Sequence, residues 1–346
     1  MPANLHFHTD QRLVKPLELP ERIATLPKAE LHLHLEGSIR PKVAVQLAAR
    51  HGIELSEKEV KRRYDYRDFK GFLEAFKWVT SFLVDPEDFS LLGSDVAQQL
   101  LEQNVRYAEV TLSVGVMLLR KQNPQANFEA LLEVTEPFEK KELRFNWIFD
   151  AVRQFGPDMA AEVVRWGKVC RSPRIVAFGI GGDELSIPTR EFRRVYRVAS
   201  ECGLRRVIHA GEIGGPEKMR EAVDLLEVER IGHGIAAIRD PGLMDILAKR
   251  EIVLEVCPSS NLCTGALARQ TGLATPTLQH HPLPQLLRHG IPVVLSTDDP
   301  PMFHVTLEQE YRNAHAMGLT AKELKQLVEN SFDYSFLPEK ERKHLH

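Results

Sequence analysis

Residues Pro27 to Pro41 read PKAELHLHLEGSIRP, and the run from Glu30 to Glu36 inside them decides how the rest of the chain is read. Leu31, Leu33 and Leu35 alternate with Glu30, His32, His34 and Glu36, which is the two-residue period of a strand. Side chains two apart on a strand point the same way, so His32 and His34 can offer ring nitrogens to one metal ion with no turn between them. The competing reading is a half-exposed strand with solvated histidines. Against it stands the recurrence of further candidate ligands at the ends of later apolar strands.

Working outward, apolar strand-like runs recur at Val105–Leu112, Leu143–Asp150, Arg174–Ile180, Arg205–His209, Arg230–His233, Ile252–Cys257 and Ile291–Thr297. Between them lie helical patterns at Lys42–Arg50, Asp88–Gln103, Gln125–Glu139, Pro157–Cys170, Thr189–Cys202, Pro216–Leu226 and Pro241–Lys249, and two more close the chain at Leu307–His315 and Ala321–Ser331. Strands alternating with helices, without a Gly/Ser-rich linker, predict one parallel (β/α)8 barrel, a TIM barrel, over residues 27–340. A doubly wound dinucleotide-binding sheet would need G-x-G-x-x-G after an early strand, and Gly179-Ile-Gly-Gly-Asp-Glu has neither the place nor the spacing. Residues 1–26 read as an N-terminal arm; His6 and His8 fall in it among polar residues and prolines, where a loosely held segment is expected rather than a second metal site.

Composition narrows the class. With 346 residues, 43% of them hydrophobic, a formal charge of -3 and a pI near 6.5, the chain can bury a large core and carries no electrostatic footprint for nucleic acid or an anionic membrane. A small-molecule partner is expected. Cys170, Cys202, Cys257 and Cys263 form no C-x-x-C pair and read as reduced thiols. Neither a signal-peptide core nor a run of ~20 apolar residues is visible, so a soluble, cytoplasmic protein is expected.

In such a barrel, function gathers at the C-terminal ends of the strands. There the sequence places His32 and His34; Gly181-Gly182-Asp183-Glu184; His209-Ala-Gly-Glu212; Gly232-His233-Gly234; and Ser296-Thr297-Asp298-Asp299-Pro300. Singly, each is more often a capping or core residue. Together they supply three imidazoles and a carboxylate, His32, His34, His209 and Asp298, a donor set that suits one Zn2+ with a position left for water. Zinc lowers the pKa of bound water to about 7, Glu212 is placed to shuttle a proton, and His233 to contact the hydroxide.

Glu30-Leu-His-Leu-His-Leu-Glu-Gly37, His209-Ala-Gly-Glu212, Glu229-Arg-Ile-Gly-His-Gly234, Glu255-Val-Cys-Pro-Ser-Ser-Asn261 and Ser296-Thr-Asp-Asp-Pro300 resemble, in collinear order from Pro27 to about Leu337, the adenosine deaminase family of metal-dependent hydrolases. The resemblance implies a zinc-bearing barrel that replaces the 6-amino group of a purine by oxygen and releases ammonia. It implies the same four metal ligands, Glu212 as the acid that protonates ring N1, His233 as the residue that positions hydroxide, Asp299 facing N7, and the Gly182 N–H meeting N3. Phe69, Phe72, Leu73 and Phe76, in an aromatic stripe over Tyr64–Val84, match an apolar gate. Two departures bear on the substrate: Glu36 stands where adenosine deaminases proper have Asp, and Ala108-Glu-Val-Thr-Leu-Ser-Val-Gly115 lacks the arginine often found there. With Phe72 to Thr80 they resemble a branch acting on 6-aminodeoxyfutalosine in menaquinone synthesis.

Rival classes fit less well. Two-metal hydrolases of this superfamily bridge their ions with a lysine that no strand end offers, cytidine deaminases need P-C-x-x-C, and an inactive binding homologue would be expected to have lost a ligand or the acid. Continued strand alternation places the Glu36 carboxylate at the rim, where it can accept from ribose hydroxyls or from N9–H of a free base. The expected order is a 6-aminopurine nucleoside, adenosine or 6-aminodeoxyfutalosine, then adenine, with AMP last because the motif loops carry no basic cluster for a dianion.

Overall fold

The computed structural model describes residues 19–66 and 69–342, with the side chain of Phe69 outside the description. His6 and His8 also lie outside it. Eight parallel strands follow one another in chain order: β1 (Lys28–His34), β2 (Val105–Leu112), β3 (Arg144–Val152), β4 (Ile175–Gly181), β5 (Arg205–Ala210), β6 (Arg230–His233), β7 (Val253–Val256) and β8 (Val293–Leu295). The ring closes where Leu33 bridges to Asp298. There the His34 N–H donates to the Asp298 carbonyl at 3.0 Å and the Asp298 N–H donates to the His32 carbonyl at 2.9 Å.

Several helices between the strands begin at a proline, Pro41, Pro86, Pro124, Pro216 and Pro241, whose missing N–H would have had no partner in a first turn. Each turns an apolar stripe inward. The strands are covered on both faces, by helices outside and by one another inside, so the polar half of the β1 alternation does not meet water. Glu30 and His32 are buried as deeply as Leu31 and Leu33. None of the four cysteines is joined in a disulfide.

The structure differs from expectation in four places. Strand β1 ends at His34; Leu35 turns into helical conformation and Glu36–Ser38 form one 3-10 turn, so alternation does not carry Glu36. Strand β8 spans only Val293–Leu295 of the expected Ile291–Thr297, and the chain beyond it takes a left-handed φ of 66° at Asp298. The aromatic stripe divides between a helix ending at Tyr64 and another over Phe69–Thr80. Short helices at Val114–Leu119, Pro258–Cys263, Ala266–Thr271 and Leu283–Arg288 span too few turns for periodicity to reveal. By contrast, Glu57–Tyr64 opens on a full Ser56/Glu59 capping box, a signal the sequence does contain.

Leu19 and Ile23, upstream of the first strand, are packed into the barrel core. We expect Ile23→Ala to cost roughly 2–4 kcal/mol in a denaturant titration, the range for emptying a well-packed aliphatic site.

Candidate metal and catalytic centre

The seam between β1 and β8 sets the geometry. Asp298 Oδ1 lies 3.3 Å from His34 Nε2 and 3.7 Å from His32 Nε2. His209, at the end of β5, brings a ring nitrogen within 4.8 Å of those of His32 and His34. Two nitrogen or oxygen donors on a tetrahedral ion at ~2.0–2.1 Å are themselves about 3.3 Å apart, so these separations match a shared cation. The protonation states of His34 and His209 agree. Burial pushes the pKa of His34 down to about 4 and that of His209 well below the usual range, leaving both in the neutral form that ligates. Around His32 burial is outweighed by the acidic groups of Asp298 and Glu255, which raise it to about 10. The buried carboxylates therefore demand a positive charge among these imidazoles, and His32 Nε2 is a buried nitrogen with no hydrogen-bond partner.

Glu212 comes off β5 on the loop after His209, and its Oε2 lies 3.6 Å from His233 Nε2. Burial first, then the charges of Asp298 and Glu184, push its pKa up to about 8, so it holds a proton at neutral pH. The loop is shaped by Glu184, itself buried: its carboxylate accepts from the N–H groups of Gly211 (2.5 Å), Ile213 (2.9 Å) and Gly214 (2.8 Å). Gln270 adds bonds to the carbonyls of Glu212 and Gly214, both at 2.8 Å.

Asp299 is buried with Oδ1 unpartnered, and burial together with Asp298 raises its pKa well above the carboxylate range. It lies over Gly37, where an added Cβ would fall 1.5 Å from Oδ1; only glycine leaves the carboxylate its place. Glu36, in its 3-10 turn, is buried; Oε1 accepts from the Ser113 N–H at 2.9 Å and Oε2 has no partner. Gly182, at the exposed rim beyond β4, takes φ 91° with Gln154 packed over it. Phe72 stacks on Phe303, just after Asp299, at 5.2 Å between centroids and lies 5.9 Å from Phe76, while Leu73 and Phe76 pack half-buried against the core. The aromatic helix thus sits against the β8 rim.

A family model described as adenosine deaminase matches residues 27–346. The chain belongs to the adenosine deaminase family. An aminodeoxyfutalosine deaminase of Streptomyces avermitilis is 36% identical over 327 residues, covering 92% of this chain and 89% of that protein. An adenine deaminase of Rhizobium meliloti is 32% identical, covering 93% and 98%. The crystal structure of an amidohydrolase from Burkholderia ambifaria with bound zinc superposes with a TM-score of 0.85 at 26% identity, covering 95% of this chain and 92% of that one. The protein is accordingly a hydrolytic deaminase on a (β/α)8 barrel.

Around the cluster the deaminase has supporting residues that sequence reasoning passes over. His32 Nδ1 meets Glu255 Oε2 at 2.6 Å; Glu255 Oε1 lies 2.6 Å from Arg230 Nε; Arg230 Nη2 lies 2.5 Å from Glu109 Oε2. The Tyr107 hydroxyl donates to Glu109 Oε1 at 2.7 Å, so a continuous buried chain runs from His32 down the barrel. Ser260 Oγ donates to Asp298 Oδ2 at 2.6 Å. Asp150, ending the interior face of β3, projects its carboxylate over Gly179 and Gly181; Oδ2 and the His209 ring flank the point where a Gly181 Cβ would lie. Burial, with the charge of Glu36 adding to it, raises Asp150 well above the usual range. Glu255 and Arg230 lie within quoted motifs, but nothing in the sequence says which strand neighbours they meet.

Glu184→Gln removes the charge that three loop amides share and leaves a donor-bearing amide among donors. We expect a loss of about 2–3 kcal/mol in stability and a fall in kcat, with metal content retained, measured by denaturation, turnover and elemental analysis.

Proposed function

We propose that this deaminase hydrolyses the 6-amino group of a purine nucleoside, with aminodeoxyfutalosine the leading candidate, using one zinc ion held by His32, His34, His209 and Asp298. The observation that carries the reading is the meeting of this donor set with Glu212, an acid that is protonated at neutral pH. When bound, the cation supplies hydroxide near pH 7 by acidifying a water. Glu212 donates its proton to N1, which draws electron density from C6 and opens it to attack. N7 is a hydrogen-bond acceptor, so a carboxyl group must be protonated to bind it; burial, which raises the pKa of Asp299, favours that form. The helix over Phe69–Thr80 serves as the apolar gate that excludes water from the bound purine.

Support for a nucleoside comes from the far side of the site. Glu36 keeps one buried oxygen without a donor, and Asp150 is near enough for Glu36 to bear on its pKa. Two carboxyl groups match the several hydroxyls of a ribose better than the single N9–H of a free base. Free adenine is the second reading, favoured by the adenine deaminase relative; Glu36 alone would bind its N9–H. A role in menaquinone synthesis and a cytoplasmic location belong with the first reading. Among the described residues no helix is long and apolar enough to cross a membrane.

Elemental analysis of purified protein is expected to give one divalent metal per chain, and His209→Ala or Asp298→Ala to lose most of it. Two ions per chain, or full occupancy in both variants, would overturn the ligand set.

Glu212→Gln is expected to keep metal and fold while kcat falls ~10²–10⁴-fold. Comparison of kcat/KM for aminodeoxyfutalosine, adenosine, adenine and AMP ranks the substrates: a preference for adenine above about tenfold, or ~1.4 kcal/mol, selects the second reading.

A further inference from the structure

Four imidazoles crowd the centre, yet only three are assigned to the metal. The ring of His233 is 5.1 Å from that of His32 and 5.0 Å from that of His209, centroid to centroid, so proximity does not explain its exclusion. The hydrogen bonds behind it do. At the start of the helix Leu283–Arg288, the Leu283 N–H donates to His281 Nδ1 at 3.1 Å. A backbone N–H can only donate, so Nδ1 is bare and the ring proton of His281 is on Nε2. That N–H needs an acceptor, and its partner at 3.2 Å is the Asn261 side chain, which must turn its oxygen to it. The amide NH2 is left facing His233 Nδ1 at 3.0 Å. An NH2 group also only donates, so His233 Nδ1 is bare and its proton is on Nε2.

All three side chains are buried, and burial holds His281 neutral with a pKa pushed down to about 3. His233 Nε2 has no hydrogen-bond partner and faces the centre, 3.6 Å from Glu212 Oε2 and 4.0 Å from Asp298 Oδ2. His32 shows the opposite wiring. Its Nδ1 meets a carboxylate, which accepts, so a proton sits on Nδ1 and Nε2 is the nitrogen left to face a metal.

We propose that His281 and Asn261 are positioning residues that lock His233 in the Nε2–H tautomer, so that it meets the reacting oxygen as a hydrogen-bond donor and is barred from acting as a fourth imidazole ligand or as a base. This rests on the reading of His233 as the residue that positions the attacking oxygen, whereas the tautomer itself is measurable without any substrate.

The test is Asn261→Asp in the full-length, zinc-loaded protein with ¹⁵N-labelled histidine. Aspartate keeps the shape of asparagine but accepts at both oxygens. His281 retains its acceptor, while His233 must now carry a proton on Nδ1, which bares Nε2 wherever the ring stays neutral. In the wild type, the His233 Nε2 resonance, assigned by its loss in His233→Gln, is expected at a pyrrole-type shift with a directly bonded proton. In Asn261→Asp it should become pyridine-type or metal-bound. Turnover should fall about 10²–10³-fold, the scale of one lost transition-state donor, with KM within about threefold and zinc held at least as tightly against a chelator. A pyridine-type Nε2 in the wild type, or an unchanged spectrum in Asn261→Asp, would overturn the proposal. If Asn261→Asp does not fold, His281→Phe frees the amide to turn over; a second set of His233 ring signals supports the lock, and a single unchanged set refutes it. An inactive wild type with a pyrrole-type Nε2 would instead refute the proposed function and leave the lock standing.

Discussion

Everything at this centre depends on the seam where the first strand meets the last. Two backbone hydrogen bonds tie Asp298 to His32 and His34, and they are the same contacts that close the eight-stranded ring. Asp298 holds a left-handed φ to do this, a conformation costing of order 1 kcal/mol or more for a residue with a side chain. His233 at the end of β6 is left-handed as well, at φ 61°. Both turn a side chain back over the barrel mouth that a regular strand would have sent elsewhere.

Around this seam the interior is organised by charge. Burying Glu30, Glu109, Glu255, Asp298 and Asp299 in one barrel would be prohibitive without compensation. Arg230 spans Glu255 and Glu109 from below, with its guanidinium stacked at 3.8 Å on the Phe336 ring. From above, a cation held at the histidines would balance Asp298. Where no countercharge is at hand, as at Asp299 and Glu212, burial raises the pKa of the carboxyl, and these are the two groups from which the proposed reaction draws a hydrogen.

Much of this was legible beforehand because its signals are local. The His32/His34 pair needs only strand alternation, Glu212 lies three residues from His209, and Asp298 follows an apolar run, so barrel topology brings them together without knowledge of packing. Glu36 was legible as a site residue but not in its setting, since the end of β1 at His34 is dictated by the seam and not by its own neighbours. Asp150 and Glu184 were legible only as carboxylates at the ends of expected strands, without their partners, and His281 carries no pattern at all. Each acts through partners on other strands or loops: Gly179 and Gly181 for Asp150, the Gly211–Gly214 amides for Glu184, and Asn261 for His281. Such partnerships exist only in three dimensions.

The closing contact between Thr297 and Glu30 joins residues 267 positions apart. His32 and His34 therefore have no Asp298 carboxylate opposite them until the first and last strands have met, so the donor cluster belongs to the closed ring and not to either strand alone. A contact between residues so distant in sequence costs loop-closure entropy before it stabilises anything, which places assembly of this cluster late among the events of folding.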